Sequence, residues 1–233
     1  MLGPIVLAFI SLVITSDSTA FHLVTENQFT FMGSTQTTTT EYWITADKLY
    51  QRRGNRIVIT RGDKGVQWTI DTQGNTYSEA QLAATENKAP AEDIRTAGFS
   101  YEPEFVWTLT SSKEQVDING HPCEITTAKG LTDFAEATVK VGLCRTLGRQ
   151  VPAKVNRSVL ESAALRYKNP IAFVMRYVSK HSGMLLMSFE ATIEPPVSST
   201  MNYRVVVRSI EGTAPPAGIF ELPAGVIKIV KEW

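Results

Sequence analysis

Regularly spaced turns between short alternating segments constrain the fold of this chain more than any other feature. Between Asn27 and Glu79, residues typical of turns recur roughly every ten positions. From Val66 to Asp71, apolar and polar side chains alternate, which is the pattern of a strand with one buried face. Asn119-Gly120 adds a strong hairpin signal further along the chain. The sequence therefore predicts about ten short antiparallel strands.

Residues 156–182 break this two-residue period. Their apolar side chains recur at the three- and four-residue spacing of a helix face, first after Ser158 and again after Pro170. Ser158 and Glu161 fit a capping box, and Asn169 before Pro170 fits an N-cap followed by proline at the first helical position. The sequence predicts two helices inserted late in a mainly β chain. The second apolar stripe consists of Ile171, Val174, Met175 and Val178.

The strand predicted after the helices is the most one-sided in the chain. Its apolar side chains alternate strictly and are expected to share one face, and they are Leu185, Met187, Phe189, Ala191 and Ile193. A short final strand is expected at residues 226–230. By contrast, residues 80–104 are rich in Ala, Glu and Pro, and they predict a long loop of the kind that is often functional or mobile.

The N-terminus predicts export. Residues 5–14 form an uncharged apolar run that is too short to span a bilayer comfortably. Ser18 and Ala20 follow at the spacing of a signal-peptidase site, so residues 1–20 are interpreted as a signal peptide. The alternative is a first core strand of the domain. The mature chain, residues 21–233, is expected to be a single soluble β-rich domain in the periplasm.

The two cysteines, Cys123 and Cys144, are compatible with a disulfide in an exported protein. Alternation places Cys144 on the face opposite Val139 and Val141, while Cys123 shares the parity of Ile125, which is expected to point inward. A bulge at Gly142 in the same strand would reverse the parity of Cys144. The sequence thus leaves open whether the two cysteines are bridged.

No catalytic, metal or cofactor signature is present in the sequence. Lys plus Arg and Asp plus Glu both number 23, which gives no electrostatic signal for nucleic acid. None of the three histidines forms a metal-binding pair, and no nucleophile elbow or phosphate loop is found. We therefore expect a non-enzymatic protein without cofactor or metal. The less favoured option is a hydrolase whose turnover depends on His121 or His181.

Two short motifs have simple interpretations. Arg61-Gly62-Asp63 spells an adhesion tripeptide but also suits a hairpin turn, and we favour the turn. Asn156-Arg157-Ser158 is a glycosylation sequon, which matters only in a host with that pathway.

Large apolar side chains on the predicted strands and helices suggest an apolar interior. The candidates for binding a hydrophobic ligand there are Trp43, Trp68, Trp107, Phe173, Met175, Tyr177, Met187 and Phe189. These side chains either fill a core, as most such residues do, or line a cavity that suits lipid tails.

Several phrases in this order resemble the LolA-like superfamily of bacterial envelope proteins, in particular its DUF4412-type members. They are the meander EYWITADKLYQRRGNRIVITRGDKGVQWTIDTQGNTYSE, the turn with cysteine INGHPCEITT, the late helical pair, and the closing FELPAGVIKI. The resemblance covers most of residues 27–230. It implies a strongly curved, incomplete antiparallel β-barrel with a helical lid, resident in the periplasm.

In better-known members of that superfamily the concave face receives lipoprotein acyl chains or other lipids. The function expected here is therefore a non-enzymatic binder or carrier of a lipid, a lipidated protein or another hydrophobic ligand, and not an integral membrane protein. The alternative is a module of the cell envelope that senses stress by binding a partner protein, without a bound lipid. No functional residue of those relatives matches a position in this sequence.

Overall fold

The computed structural model describes residues 20–82, 105–132, 135–145, 153–162, 168–181, 183–195 and 199–229. Twelve strands lie within these ranges. The first six are β1 (Ala20–Phe31), β2 (Ser34–Ile44), β3 (Lys48–Arg53), β4 (Arg56–Arg61), β5 (Val66–Asp71) and β6 (Thr76–Gln81). The others are β7 (Val106–Ile118), β8 (His121–Leu131), β9 (Glu136–Arg145), β10 (Met184–Glu194), β11 (Met201–Thr213) and β12 (Ile227–Lys228).

All twelve strands belong to one open, curved sheet in the order β12-β6-β5-β4-β3-β2-β1-β11-β10-β9-β8-β7. Along most of the sheet, strands that follow each other in the chain pair as antiparallel hairpins. The pairing of β1 with β11 joins the early strands to the late ones. The mainly β fold with an open sheet and two helices is confirmed. One strand departs from the prediction: β12 is only two residues long and pairs with β6 in parallel, because the chain crosses back over the sheet before reaching it.

Two helices, α1 (Ala153–Ser162) and α2 (Lys168–Ser179), cover one face of the sheet. The Tyr177 hydroxyl of α2 lies 2.8 Å from the Thr126 hydroxyl of β8, and the Phe173 ring of α2 stacks on Trp107 of β7. Side chains opposite each other in adjacent strands share a face, so these two contacts identify one side of the whole sheet. We call it the helix-covered face, and the other side the opposite face.

The first helix begins earlier than its capping signals predict. Ser158 is inside α1 and buried, so it is not the N-cap of the helix. Asn156 also lies inside α1; its amide nitrogen donates to Met184 O at 3.0 Å and its amide oxygen accepts from Leu186 N at 2.8 Å. These bonds attach α1 to the start of β10. They also engage both the amide nitrogen and the amide oxygen of Asn156. Because this side chain is buried, the asparagine of the sequon is not accessible for glycosylation.

The second helix begins at Lys168, so Pro170 is its third residue and lies in the first turn, where a missing N–H costs nothing. The predicted stripe is confirmed in part. Val174 and Val178 are buried, whereas Ile171 and Met175 are partly exposed. Most of the predicted first stripe lies outside the described residues.

A first apolar core lies between the helices and the helix-covered face. Its largest fully buried side chains include Tyr42, Leu160, Leu186, Met187 and Phe189. Val155, Val159 and Leu160 of α1 join this core with no exposed surface. Burial of this continuous apolar surface is the main term that holds the helices on the sheet.

A second core lies on the opposite face, over strands β1 to β5. Its residues on the sheet are Ala20, Trp43, Tyr50, Ile57, Ile59, Trp68 and Ile70. Residues 214–229, which we call the strap, cover this core with Phe220 and the partly buried Ile219, Leu222 and Val226. The strap ends by adding β12 beside β6.

Arg61 anchors the strap. Its guanidinium is almost buried and donates to both carboxylate oxygens of Asp63, at 2.7 and 2.6 Å. The same group donates to Phe220 O at 3.2 Å and contacts the carboxylate of Glu221 in the strap. The Arg61-Gly62-Asp63 tripeptide is therefore a structural turn at the end of β4, and its arginine is not available to a partner.

Strand β10 does not place its five apolar side chains on one face. The register against β9 slips between Leu186 and Ser188, which leaves Met187 as the extra residue of a bulge. Leu186 then falls opposite Leu143 on the helix-covered face, and Leu185 falls opposite Cys144 on the other. The one-face prediction holds only from Phe189 to Ile193, because alternation in a sequence does not reveal a bulge.

A disulfide joins Cys123 of β8 to Cys144 of β9. The two residues are direct cross-strand partners, so both lie on the opposite face of the sheet. The predicted side of Cys144 is correct, but Cys123 and Ile125 point away from the helices rather than inward. The bulge lies in β10 at Met187, not in β9 at Gly142.

The Asn119-Gly120 turn has the predicted left-handed backbone, with φ values of 53° and 82°. The predicted loop at 80–104 begins later than expected, because Ala80 and Gln81 belong to β6. Residues 83–104 lie outside the described residues, as do residues 1–19 of the predicted signal peptide. Ala20 begins β1 opposite Thr213.

Candidate hydrophobic site on the helix-covered face

The eight predicted ligand-binding residues lie in two separate places. Trp43 and Trp68 belong to the second core beneath the strap, where the Trp68 indole donates to Glu79 at 2.9 Å. The six others lie in or against the first core, and they are Trp107, Phe173, Met175, Tyr177, Met187 and Phe189. The fold therefore does not bring all eight residues into one apolar interior. Met187 and Phe189 are fully buried and fill the core.

Trp107 is placed by a glycine on the neighbouring strand. Gly130 lies directly opposite it in β8, and a Cβ added at Gly130 would come within 2.9 Å of the Trp107 ring. The indole can therefore lie flat against the sheet. Its other side stacks on Phe173 of α2, with ring centroids 4.6 Å apart and an angle of 19° between the planes. Phe105, just before β7, tilts against the same indole at 5.5 Å.

Small side chains form a floor beside Trp107. Cross-strand pairing aligns one row from Trp107 through Gly130, Ala137, Ile193 and Met201 to Phe31. A second row runs from Leu109 through Ala128, Val139, Ala191 and Tyr203 to Phe29. Small residues occupy both rows on β8, and then Ala137 on β9 and Ala191 on β10. The other positions between the ends carry larger side chains, and three of the four row ends are aromatic, the fourth being Leu109. Five interstrand spacings separate β7 from β1, which is about 24 Å along the sheet.

Phe29 and Phe31 were not among the residues predicted from the sequence to bind a ligand. Their rings stack with centroids 6.3 Å apart, and Phe29 tilts on Tyr203 at 4.7 Å. Both are only partly buried, like Trp107 and Phe173. Their alternation in β1 was visible in the sequence, but their place across the floor from Trp107 depends on the pairing of β1 with β11. We call the helix-covered floor and its aromatic margins the aromatic trough.

Helix α2 closes over the aromatic trough. It touches strands β9 and β10 and is fixed at the β8 side by the Tyr177–Thr126 hydroxyl contact and by the Phe173–Trp107 stack. Met175 is partly buried against the same core. The floor residues Ala128, Ala137 and Ala191 are no more than 2% exposed, so the space above them is covered in this conformation.

The histidines do not form a cluster. His22 lies 3.0 Å from Glu41 and stacks on Trp43, while the His181 ring contacts Tyr177 O at 2.9 Å. His121 starts β8, where its carbonyl oxygen lies 3.1 Å from the sulfur of the disulfide-bonded Cys123. Within the described ranges, no group of three His, Cys, Asp or Glu side chains is arranged to hold a metal.

Solved structures with a comparable layout have low sequence identity to this chain. A LolA superfamily protein from Nitrosomonas europaea is similar at a TM-score of 0.32 and 9% identity, over 87% of this chain and 90% of its own. A DUF1329 family protein from Desulfovibrio piger gives 0.32 and 9%, over 89% and 91%. PNGF-II gives 0.37 and 8% over 91% of this chain, which spans only 31% of the PNGF-II length.

No protein-family model and no curated protein matches the chain. At TM-scores of 0.37 and below, these similarities indicate neither a family nor a function for this chain. Across the part of the chain that the structure describes, no helix is long and apolar enough to cross a membrane.

Proposed function

We propose that this protein is a periplasmic binder or carrier of a lipid, a lipoprotein acyl chain or another hydrophobic ligand, which it holds in the aromatic trough. The observation that supports it is the pattern of the two cross-strand rows, with small residues on the floor and partly exposed aromatic residues at the margins. The Gly and Ala positions of β8 to β10 lower the floor beside Trp107, which suits an apolar chain lying there.

The covering helix must move for a ligand to enter. Burying an acyl chain is worth about 0.8 kcal/mol per CH₂ group, so the many methylenes of a long chain can offset what α2 gives up. That loss comprises the hydroxyl contact, the ring stack and the burial of Val174 and Val178. We propose that α2 is the lid and that its aromatic residues, Phe173 and Tyr177, contact the ligand when it is bound. The assignments to the LolA-like superfamily, to its DUF4412-type members and to the periplasm belong to this same proposal.

The test is native mass spectrometry of protein exported from a bacterial host without detergent, followed by titration with palmitate. We expect a bound lipid at one per chain or saturable palmitate binding. Phe173→Asp should weaken binding at least about tenfold, because a carboxylate would have to be desolvated beside the chain.

Ile227→Asp is the matched control, since Ile227 is an exposed apolar residue on β12 and far from the trough. It should bind palmitate like the unmodified protein. Trp68→Asp does not test the trough, because Trp68 lies in the second core. A folded Phe173→Asp protein that binds palmitate as tightly as the control would place the site elsewhere.

A second candidate, binding of an envelope protein partner, is favoured by the edge strand β7. Val106 is 75% exposed and lies directly opposite Leu131 of β8, which is 54% exposed. Exposed apolar residues on an edge strand suit the addition of a strand from another protein. Val106→Lys separates the two candidates: a partner complex should be lost, while palmitate binding should be unchanged.

A further inference from the structure

The opposite face carries a cleft that is independent of the aromatic trough. The tip of the β7–β8 hairpin folds over the sheet, so that the Asn119 amide donates to Val207 O on β11. Ile118 and Ile125 pack onto Gly142 of β9, where a Cβ would meet their Cδ1 atoms at 2.9 and 3.2 Å. The Cys123–Cys144 disulfide ties the same hairpin to β9.

Between the hairpin tip and the strands lies a cavity of about 430 Å³. Ile118, Ile125 and Val206 give it an apolar side, and Lys140, Glu190 and Arg204 give it a charged side. Its volume suits a small molecule rather than a lipid with full-length chains.

The charged side has a definite order. Lys140, Glu190 and Arg204 are direct cross-strand partners on β9, β10 and β11, with the carboxylate between the two cations. Among the described residues, neither the Lys140 ammonium nor the Arg204 guanidinium has a hydrogen bond or an ion-pair contact. Arg204 nevertheless lies close enough to Glu26 for its charge to help lower the pKa of that carboxylate.

Two further charged side chains, Arg208 and Asp117, line the cleft. Arg208 donates to both oxygens of Glu26, at 2.6 and 3.2 Å, and these bonds lower the pKa of Glu26. Asp117 accepts the Gly120 backbone N–H at 2.8 Å within the hairpin turn. Asp117 keeps its negative charge, so Lys140 and Arg204 are balanced overall by Glu190 and Asp117. What favours an anion here is therefore the local position of the two cations and not a net positive charge.

We propose that this cleft binds a small organic anion with an apolar body and one carboxylate or phosphate group. Arg204 binds the anionic group through its planar fork, with Lys140 as the second cation. Glu190 accepts a hydroxyl or amine donor of the same ligand. The apolar body packs on Ile118, Ile125 and Val206 beneath the hairpin tip.

The experiment uses three probes with the same ring, which are benzoate, phenyl phosphate and the neutral benzyl alcohol. Each is titrated into the full chain while amide resonances are followed by NMR. We expect at least one anion to shift the resonances of Ser188, Val206 and the hairpin tip in a saturable and salt-sensitive way. Benzyl alcohol should bind at least about tenfold more weakly, because it cannot engage Arg204. The anion that binds more tightly identifies the preferred group.

Arg204→Gln should weaken binding of that anion at least about tenfold, whereas the matched control Arg52→Gln, an exposed arginine on β3, should not change it. Lys140→Gln gives a second, independent loss if Arg204→Gln disturbs folding. Absence of shifts with both anions would overturn the proposal. So would shifts confined to the aromatic trough, equal binding of benzyl alcohol, or anion binding that neither substitution weakens.

Discussion

The two apolar cores of this protein lie on opposite faces of one sheet and are covered in different ways. The first is covered by α1 and α2, which contribute buried side chains of their own such as Val155, Leu160 and Val174. The second is covered by the strap, where Phe220 is the one core residue and the rest of the contact is partly exposed. The helices are held mainly by buried apolar area, whereas the strap combines a smaller apolar contact with directional bonds, among them those of the buried Arg61.

This difference assigns different roles to the two covers. A helix that rests mainly on apolar contacts can exchange them for contacts with an apolar ligand, because the hydrophobic effect is not directional. The strap is held by directional bonds from Arg61 to Phe220 O and Glu221, and by backbone bonds of Ile227 and Ile229 to β6 and the turn before it. Such bonds are not replaced by a lipid, so we regard the strap as a structural closure.

The largest effect expected from this comparison is on the free energy of unfolding, when one phenylalanine in each core is replaced by alanine. Phe189→Ala in the first core should lower the free energy of unfolding by about 4 kcal/mol, since the site is enclosed on all sides. Phe220→Ala should cost about 2 kcal/mol, because the strap can settle into the space left behind. Urea unfolding of the two variants measures both values. Equal losses would show that the strap packs as tightly as the helices.

Much of the sheet could be predicted from the sequence, because local turns set it. The Asn119-Gly120 hairpin and the strand from Val66 to Asp71 are present as expected. Alternation also separates the two sides within each strand. It does not say which side of one strand matches which side of another, since that depends on register. Trp68 and Trp107 were therefore grouped in one interior although they lie on opposite faces.

The aromatic trough and the cleft could not be predicted from the sequence, for a related reason. Gly130 makes room for Trp107 only because β7 and β8 pair in one particular register, and Phe31 reaches the same row through the long-range β1–β11 pairing. The bulge at Met187 moves Leu185 to the other face without any Gly or Pro within β10 to mark it, although Gly142 of β9 lies opposite Ser188 at the slip. The side-chain pattern of a sequence indicates candidate site residues, but the pairing of the strands determines which of these residues lie next to each other.

An intermediate effect is expected from the strap anchor. Arg61→Gln removes the bonds to Asp63 and Glu221 and should destabilise the protein by about 2 kcal/mol, since charged hydrogen bonds from a buried donor are lost. Hydrogen exchange at the Ile227 and Ile229 amides should accelerate, while exchange in β10 should not. Arg56→Gln, an exposed arginine on the same strand, is the control. Unchanged exchange in the strap would contradict the anchoring role of Arg61.

The smallest effect expected is the pH dependence of stability that Asp63 contributes at the strap anchor. Hydrogen bonds from Arg61 lower the pKa of Asp63 to about 2 and also lower the pKa of Glu221. In the unfolded chain an aspartate titrates near pH 3.9, so the folded state binds protons less readily between these values. The stabilisation by Asp63 is thus present above about pH 4 and is lost as the pH falls through about 2.

Asp63→Asn should accordingly be less stable than the unmodified protein at pH 7, and the gap should close toward pH 2. Urea unfolding from pH 7 to pH 2 measures this gap. Because Asp63 acts through Arg61, the gap should also be much smaller in an Arg61→Gln background, as a double-mutant cycle would show. A gap that stays constant with pH, or that persists unchanged without Arg61, would mean that the carboxylate acts by another route. The strap would then resemble the helices in depending mainly on apolar contact.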